Sequence, residues 1–292
     1  MSASRCRTPR NTDRPGEPPL RRALRRTAAA LAPASGPLAR HYAETILTAL
    51  TGLPHHRLYL DAAHALGAGQ RARLRAIVAR CRRGEPLPYV LGTAYFHSVD
   101  LRIGPGALIP RPDTEVLVEE VLRREQGATR VFLDMGTGSG AIAAAILAAR
   151  PGWRALASDL SLPALRIARA NLPSGCLCAC ADRLEGITGP LDFVVCNPPY
   201  VTRREFTRLP RSVRGFEPVI ALDGGEDGLD FYRYLAAHCG ARLRSDGALY
   251  LEIGWKQARQ VTGLLTRAGW RRVQMRRDLA GRPRVVSARR AP

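Results

Sequence analysis

Seven short apolar segments, separated by helical segments, extend from residue 130 to residue 288 and limit the folds that this chain can adopt. Strands that alternate with helices predict a mostly parallel sheet covered by helices on both faces. Ligands of such sheets lie at the carboxyl ends of the strands. The predicted strands are 130–134, 154–158, 176–181, 191–196, 248–253, 270–276 and 284–288.

The chain before this region has a different pattern. Ala43, Ile46, Leu47 and Leu50 are spaced as on one face of a helix, which predicts a small helical bundle. Short extended runs and prolines then predict a hairpin linker. The predicted organisation is a disordered basic extension over 1–19, a helical substrate-recognition domain over 20–84, the linker over 85–110 and the sheet domain over 111–292.

Composition leaves the meaning of the net charge open. The 292 residues carry a formal charge of +20, with 45 basic and 25 acidic side chains. Such a charge favours a polyanionic partner. However, Lys256 is the only lysine, so coding bias toward arginine explains the charge equally well.

No segment is long and apolar enough to cross a membrane, since the longest nearly apolar run, 141–149, is about half of a span. The start of the chain lacks the hydrophobic core of a signal peptide. We therefore expect a bacterial cytoplasmic protein, although the arginine-rich residues 1–40 leave organellar targeting open.

The seven cysteines show neither a CxxC pair nor zinc-finger spacing, so the sequence predicts no metal site. Cys176, Cys178 and Cys180 alternate, which places them on one face of a strand. We expect a buried strand filled by small side chains.

Candidate ligand-binding residues follow three successive strands. The first strand leads into Asp134-Met135-Gly136-Thr137-Gly138-Ser139-Gly140, where glycines let the backbone turn tightly and approach a ligand. The GxGxG spacing differs from the GxGxxG of dinucleotide sites. Asp159 ends the second strand, where an acid can accept both hydroxyls of a ribose. Asp182 ends the third and can reach an adenine amino group.

Asn197-Pro198-Pro199-Tyr200 follows the apolar fourth strand. Consecutive prolines fix the backbone and leave the Pro198 carbonyl without a regular partner. That carbonyl and the Asn197 side-chain oxygen can accept both hydrogens of a planar NH2 group, and Tyr200 offers it a flat face.

The combination of DxGTGSG and NPPY resembles class I S-adenosylmethionine-dependent methyltransferases that act on NH2 nitrogens. Adenine-N6 methyltransferases of nucleic acids and glutamine-N5 methyltransferases of proteins share NPPY. Other segments are similar to the peptide-chain release factor glutamine methyltransferase family (HemK/PrmC type). These are Gly84–Tyr89, Leu91-Gly92, Tyr95-Phe96, Ile109–Glu115, Arg214–Pro218, Ala221–Leu229 and Asp278–Arg282.

The resemblance implies a Rossmann-like, seven-stranded class I methyltransferase fold with S-adenosylmethionine as cofactor. It implies cofactor contacts from Gly136, Thr137, Gly138, Ser139, Gly140, Asp159, Asp182, Arg183 and Asn197. It implies that the substrate glutamine amide is bound by Asn197, Pro198, Pro199 and Tyr200, with Asn197, Pro198 and Tyr200 acting in catalysis. At position 183 the family can carry an aromatic residue, so the contact of Arg183 with adenine is open.

The resemblance also implies the reaction, which is methylation of N5 of the glutamine in the GGQ motif of class I release factors. The enzyme is expected to be a monomer without stable nucleic-acid binding. An adenine-N6 methyltransferase is the alternative, which the charge favours. An enzyme that methylates adenine in DNA must extrude the base and usually carries a target-recognition region. In this chain the residues outside the sheet domain are instead predicted to form a small helical domain that resembles a module for a protein substrate. A non-catalytic binding protein is disfavoured because nearly every expected site residue is present.

Overall fold

The computed structural model describes residues 16–61 and 63–291. The chain forms two compact units, the first ending at Leu91 and the second beginning at Gly92. Most of the predicted extension, residues 1–15, lies outside the described residues, and a helix begins at Pro19. The division after Leu91 falls inside the segment predicted as a linker, whose limits stay a prediction.

The first unit is helical, as predicted. Its helices are α1 (Pro19–Ser35), α2 (Ala39–Thr51), α3 (Arg57–Leu60), α4 (Ala68–Arg82) and α5 (Leu87–Leu91). Leu20 and Leu24 of α1 are buried together with Ala43 and Leu47 of α2. Ile46 of α2 is buried in a second cluster with Leu31 of α1 and Cys81 of α4, so the helical spacing in the sequence corresponds to the face of α2 that packs inside the unit.

The second unit opens with an antiparallel hairpin, β1 (Thr93–Phe96) and β2 (Val99–Arg102). A larger sheet follows, whose strands are β3 (Val131–Met135), β4 (Arg154–Asp159), β5 (Leu177–Cys180), β6 (Leu191–Cys196), β7 (Leu243–Glu252), β8 (Arg271–Arg277) and β9 (Pro283–Arg289). Its helices are α6 (Pro112–Arg124), α7 (Ala141–Ala149), α8 (Leu162–Asn171), α9 (Arg203–Phe206), α10 (Arg211–Arg214), α11 (Asp230–His238) and α12 (Ala258–Arg267).

The seven strands lie in the order β5-β4-β3-β6-β7-β9-β8, which confirms the predicted sheet. Neighbours from β5 to β7 are parallel, whereas β9 runs antiparallel to both of its neighbours. The direction in which successive strands are added reverses between β3 and β6. In a sheet wound in this way, the crevice for a ligand opens at that reversal, at the carboxyl ends of the strands.

Both faces of the sheet are covered, which explains why β6 is apolar along nearly its whole length. Phe132 and Phe193 stack on one face with ring centroids 4.8 Å apart, and Leu133 and Val194 are fully buried on the other. Successive side chains of a strand point to opposite faces, so a strand covered on both sides cannot alternate with polar residues.

Two local predictions are wrong. β5 is an edge strand rather than a buried one, and of the three alternating cysteines Cys176 is buried while Cys180 is exposed. The sequence also predicts a helix near residue 113 that Asp113 or Thr114 can cap. Neither residue caps α6, because the helix already begins at Pro112, whose fixed φ suits the first helical position. Their side chains are therefore available for contacts distant in sequence.

The apolar run at 141–149 forms α7, which is mostly buried in the second unit. Within residues 16–61 and 63–291, no helix is both long enough and apolar enough to cross a membrane.

Candidate active site

The glycine-rich loop leaves β3 and turns sharply into α7. Gly136, Gly138 and Gly140 have φ of 68°, 57° and 80°, which glycine adopts without the steric cost of a side chain. A Cβ atom on Gly136 or Gly138 would meet no atom within 4 Å. Both residues line the larger cavity of this unit, so the missing side chains leave open space at its wall.

Asp134 holds this loop in shape. Its Oδ2 accepts hydrogen bonds from the Thr137 hydroxyl at 2.7 Å and from the Ala143 amide at 3.2 Å. Burial raises the pKa of Asp134 to about 6. Because these partners belong to the loop and to α7, Asp134 organises the backbone rather than the cavity surface.

Asp159 ends β4 beside the same loop and lines the cavity. Its Oδ2 accepts from the Gly138 amide at 2.9 Å and its Oδ1 from the Ser161 amide at 2.8 Å. Burial raises the pKa of this carboxyl above its ordinary value. Each oxygen has a further lone pair, so the fixed carboxylate can still accept from ligand hydroxyls.

Asp182 and Arg183 follow β5 and line the same cavity. The Arg183 guanidinium lies 5.0 Å from the ring centroid of Phe231 and 4.7 Å from that of Tyr234, both on α11. Cation–π attraction at this distance holds the guanidinium against α11. Phe231 itself lines the cavity, although an aromatic residue in a helix carries no sequence signal for that role.

The NPPY turn leaves β6 at the carboxyl edge. Asn197 donates from Nδ2 to the Thr114 hydroxyl oxygen at 3.2 Å, and the Tyr200 hydroxyl donates to Oε1 of Glu252 at 3.2 Å. Among the described residues the Pro198 carbonyl accepts no backbone hydrogen bond. An acceptor without a partner therefore stands beside Asn197, as the two prolines predict.

The Arg111–Glu115 segment joins the site to the rest of the unit. Arg111 forms an ion pair with Glu217 at 2.6 Å, and Asp113 forms one with Arg284 at 2.9 Å. The Glu217 side chain is 1% exposed, so it fixes Arg111 firmly. This segment is one of those that carry the sequence resemblance, and the hydrogen bond between Asn197 and Thr114 connects it directly to the NPPY turn.

Two adjoining cavities meet at this turn. The larger is lined by residues 136–139 of the glycine-rich loop and by Asp159, Asp182 and Arg183, whereas Gly140 does not line it. Pro198 and Tyr200 line only the smaller one. The wall common to both consists of Leu108, Arg111, Asn197 and Ala221. In the described parts of the chain, no group of three or more His, Cys, Asp or Glu side chains is arranged to hold a metal ion.

Sequence reasoning did not single out Glu252, Glu217 or Phe231. Glu252 is 1% exposed at the end of β7, and burial raises its pKa to about 7. Its only signal in the sequence is that it is the one acid in an otherwise apolar strand end, Ala248–Ile253. Glu217 lies 106 residues from Arg111, so no local pattern could relate them.

The sheet is doubly wound and has seven strands, of which one near the edge is antiparallel. The first strand of this sheet carries an aspartate near its end and leads into a loop that is rich in glycine. Together these features define a class I S-adenosylmethionine-dependent methyltransferase. Residues 22–92 match the PrmC N-terminal domain, and residues 112–209 match the methyltransferase small domain. The chain belongs to the release factor glutamine methyltransferase family.

The relatives that establish this membership match over nearly their full length. A release factor glutamine methyltransferase of Bradyrhizobium diazoefficiens is 40% identical over 98% of this chain and 99% of the relative. A release factor glutamine methyltransferase of Geobacter sulfurreducens is 38% identical over 95% of this chain and 99% of the relative. A solved methyltransferase structure from Pyrococcus furiosus shares the fold, with a TM-score of 0.52 and 16% identity over 77% of this chain and 100% of that one.

Proposed function

We propose that this enzyme transfers the methyl group of S-adenosylmethionine to the side-chain amide nitrogen, N5, of the glutamine in the GGQ motif of class I release factors. The observation that carries the proposal is Asn197, which lines both cavities and stands beside an unpaired carbonyl. The names of the relatives support the same substrate and give no support to adenine.

The residues of the larger cavity fit the cofactor. Gly136, Thr137, Gly138 and Ser139 line this cavity and would surround the methionine and ribose, since Gly136 and Gly138 leave the wall open for close approach. Gly140 would act by shaping the turn, because a Cβ atom there would meet Ala168 of α8 at 3.2 Å. Asp159 would accept from the ribose hydroxyls, and Asp182, Arg183 and Phe231 would surround the adenine. Arg111 is the remaining cation of the lining, so we assign it to the carboxylate of the methionine portion.

The NPPY turn would hold the substrate amide. The Asn197 Oδ1 and the Pro198 carbonyl would each accept one N–H of the glutamine amide, with Pro199 fixing the turn and the Tyr200 ring supporting the planar group. The bound cofactor supplies a methyl group that is already activated for transfer. The protein therefore contributes orientation of a weak nucleophile and acceptors for the charge that develops on nitrogen.

Partner and location are part of this proposal. The enzyme would act as a monomer on release factors in the bacterial cytoplasm, with residues 20–84 recognising the substrate protein and no stable binding of nucleic acid. The bacterial relatives, which act in translation by their names, support this assignment.

The test is methyl transfer from labelled S-adenosylmethionine to a purified class I release factor and, in parallel, to unmethylated DNA. Peptide mass spectrometry would locate the label. A mass shift of one CH2 on the GGQ glutamine is the expected result. Label confined to adenine would mean that the NPPY turn holds a base instead.

A further inference from the structure

Gln257 lies directly before α12, and its side chain makes three hydrogen bonds that join three loops. Its Oε1 accepts from the Gly254 amide at 3.0 Å. Its Nε2 donates to the backbone carbonyl of Tyr200 at 3.2 Å and to that of Gly228 at 3.0 Å. One side chain therefore ties the NPPY turn to the loop before α11 and to the loop between β7 and α12.

The orientation of the Gln257 carboxamide follows from its partners. Gly254 offers an N–H, which needs an acceptor, whereas Tyr200 and Gly228 offer carbonyl oxygens, which need donors. A carboxamide supplies one acceptor oxygen and two N–H donors, so a single orientation satisfies all three partners. Turned over, it would set its oxygen against two carbonyl oxygens. A glutamate side chain has the same shape, but its carboxylate has no hydrogen to donate.

Gln257 occupies a position at which a side chain ordinarily serves its own helix. It is the N-cap of α12, where Ser, Thr, Asp or Asn would stabilise the helix by accepting from a backbone amide of the first turn. The Gln257 side chain makes no capping hydrogen bond. Its polar atoms bond to the loops instead, so the residue is used for the NPPY turn rather than for the helix end.

The loop before α11 leaves room for this contact. Gly228 has a φ of 75°, and a Cβ atom there would lie 2.4 Å from the Tyr200 carbonyl oxygen and 2.7 Å from Gln257 Nε2. A side chain at this position would therefore clash with both atoms of the hydrogen bond between Tyr200 and Gln257. The segment that leads into this loop also holds the next residue of the turn, since the Val201 amide donates to the Leu222 carbonyl at 3.0 Å.

Tyr200 is fixed at both of its ends. In the described parts of the chain no backbone amide donates to the Tyr200 carbonyl, so Gln257 supplies the hydrogen bond at the main chain. The hydroxyl at the tip of the ring donates to Oε1 of Glu252 at 3.2 Å. Tyr200 lines the smaller cavity between these two points of attachment. A tyrosine held at its backbone and at its tip keeps one orientation of its ring.

We propose that Gln257 is a positioning residue, which holds the Tyr200 ring in the orientation that supports the substrate amide. This inference rests on the proposed function, in which that ring lies against a planar NH2 group. Without the hydrogen bond to the Tyr200 carbonyl, the ring and the amide on it would move out of line with the methyl group, and alignment governs the rate of such a transfer. Cofactor binding does not depend on Gln257, because neither Gln257 nor Tyr200 lines the larger cavity.

The first experiment replaces Gln257 by aspartate in the full chain. Gln257→Asp is one methylene shorter and has no N–H to donate, but it provides a strong N-cap for α12, where a negative charge is also favourable. We expect the melting temperature to stay equal or to rise, while kcat falls about 10²-fold, the loss that a misplacement of about 1 Å can cause. KM for S-adenosylmethionine should stay within about threefold. A melting temperature that falls in step with kcat would assign Gln257 to stability alone and would overturn the inference.

The second variant isolates the two donors. Gln257→Glu keeps the length of the side chain and an oxygen for the Gly254 amide, so the loss of kcat should be as large as in Gln257→Asp. Gln260→Asp is the matched control, because Gln260 is exposed in the first turn of the same helix, and it should leave kcat unchanged. Full turnover in Gln257→Asp or in Gln257→Glu would show that the inference is wrong.

A readout without substrate separates this inference from the proposed function. Hydrogen exchange followed by mass spectrometry should show the Val201 amide exchanging about tenfold faster in Gln257→Glu than in the unmodified protein, with α7 unchanged as the reference. If exchange rises in this way while the unmodified protein methylates no release factor, the proposed function fails and Gln257 still holds the turn. If release factor is methylated and exchange at Val201 is the same in both proteins, the inference fails alone.

Discussion

Two buried glutamates of the second unit each accept a tyrosine hydroxyl, and their surroundings differ. Glu125, directly after α6, accepts from Tyr250 at 2.5 Å. Arg289 lies 2.8 Å from Glu125 and Arg130 lies 3.6 Å from it, so its charge is compensated. Glu252 has no ion-pair partner within 4.0 Å in the described part of the chain.

The pKa of Glu252 follows from its lack of an ion-pair partner. Burial raises the pKa of Glu252 to about 7, since Arg284 acts on it only from a distance while its own ion pairs go to Asp113 and Asp278. A buried carboxylate between arginines is a structural element. One without such compensation costs folding free energy, and proteins retain such groups chiefly where binding or catalysis uses them.

The largest expected effect is at Asn197, which follows β6 beside the uncompensated Glu252 at the end of β7. Asn197→Ala removes the acceptor for the substrate NH2, and we expect at least about a 10³-fold loss of turnover because the amide loses both alignment and charge stabilisation. The Kd of S-adenosylmethionine, measured by calorimetry, should change only a few-fold. Retained turnover would remove Asn197 from the mechanism.

The next effect is on stability. The unfolded chain releases the proton of Glu252 near pH 4.5, whereas the native protein holds it until about pH 7. The stability of the native protein therefore falls as pH rises between these values, by about 3 kcal/mol for this group. Glu252→Gln should be the more stable protein above pH 7 and should show no such gain near pH 4.5.

Urea unfolding at both pH values measures this difference. Burial raises the pKa of Asp134 to about 6, so this residue also makes stability depend on pH. Its contribution is the same in both proteins and therefore does not affect the difference between them. An equal pH dependence in Glu252→Gln would show that Glu252 is not the uncompensated charge.

Asp159 extends the comparison to a carboxylate that we place against the ligand itself. Asp159→Ala should weaken S-adenosylmethionine binding by about 1.5–3 kcal/mol, the contribution of hydrogen bonds to a charged acceptor. Turnover at saturating cofactor should be much less affected. A cofactor Kd equal to that of the unmodified protein would place the ribose elsewhere.

The smallest effect is expected at the compensated glutamate. Glu125→Gln leaves Arg289 and Arg130 without their partner, but both are partly exposed, and water screens much of the loss. We expect about 1–2 kcal/mol less stability and an unchanged kcat. If kcat fell in Glu125→Gln, the compensated glutamate would have more than a structural role, and the comparison would fail.

The sequence predicts what depends on neighbouring residues. Periodic apolar residues and glycine positions locate the strands, the loop at Gly136–Gly140 and the NPPY turn, because backbone geometry is decided within a few residues. The edge position of β5 depends on sheet order, and no periodicity encodes it.

Contacts behind the site are equally invisible to local reasoning. Thr114 looks like a helix cap in the sequence, yet it bonds to Asn197, 83 residues away. Glu252 looks like an ordinary strand end until its burial and its bond to Tyr200, 52 residues away, are seen. Tertiary packing alone brings these side chains together.

The wall shared by the two cavities has a consequence for inhibitor design. Leu108, Arg111, Asn197 and Ala221 border both spaces, so little protein separates a ligand in one from a ligand in the other. A single compound joining an adenosyl amino acid to a carboxamide would occupy both at once. The second half would then bind at the high effective concentration that a short tether provides, and neither natural ligand could enter while it remained.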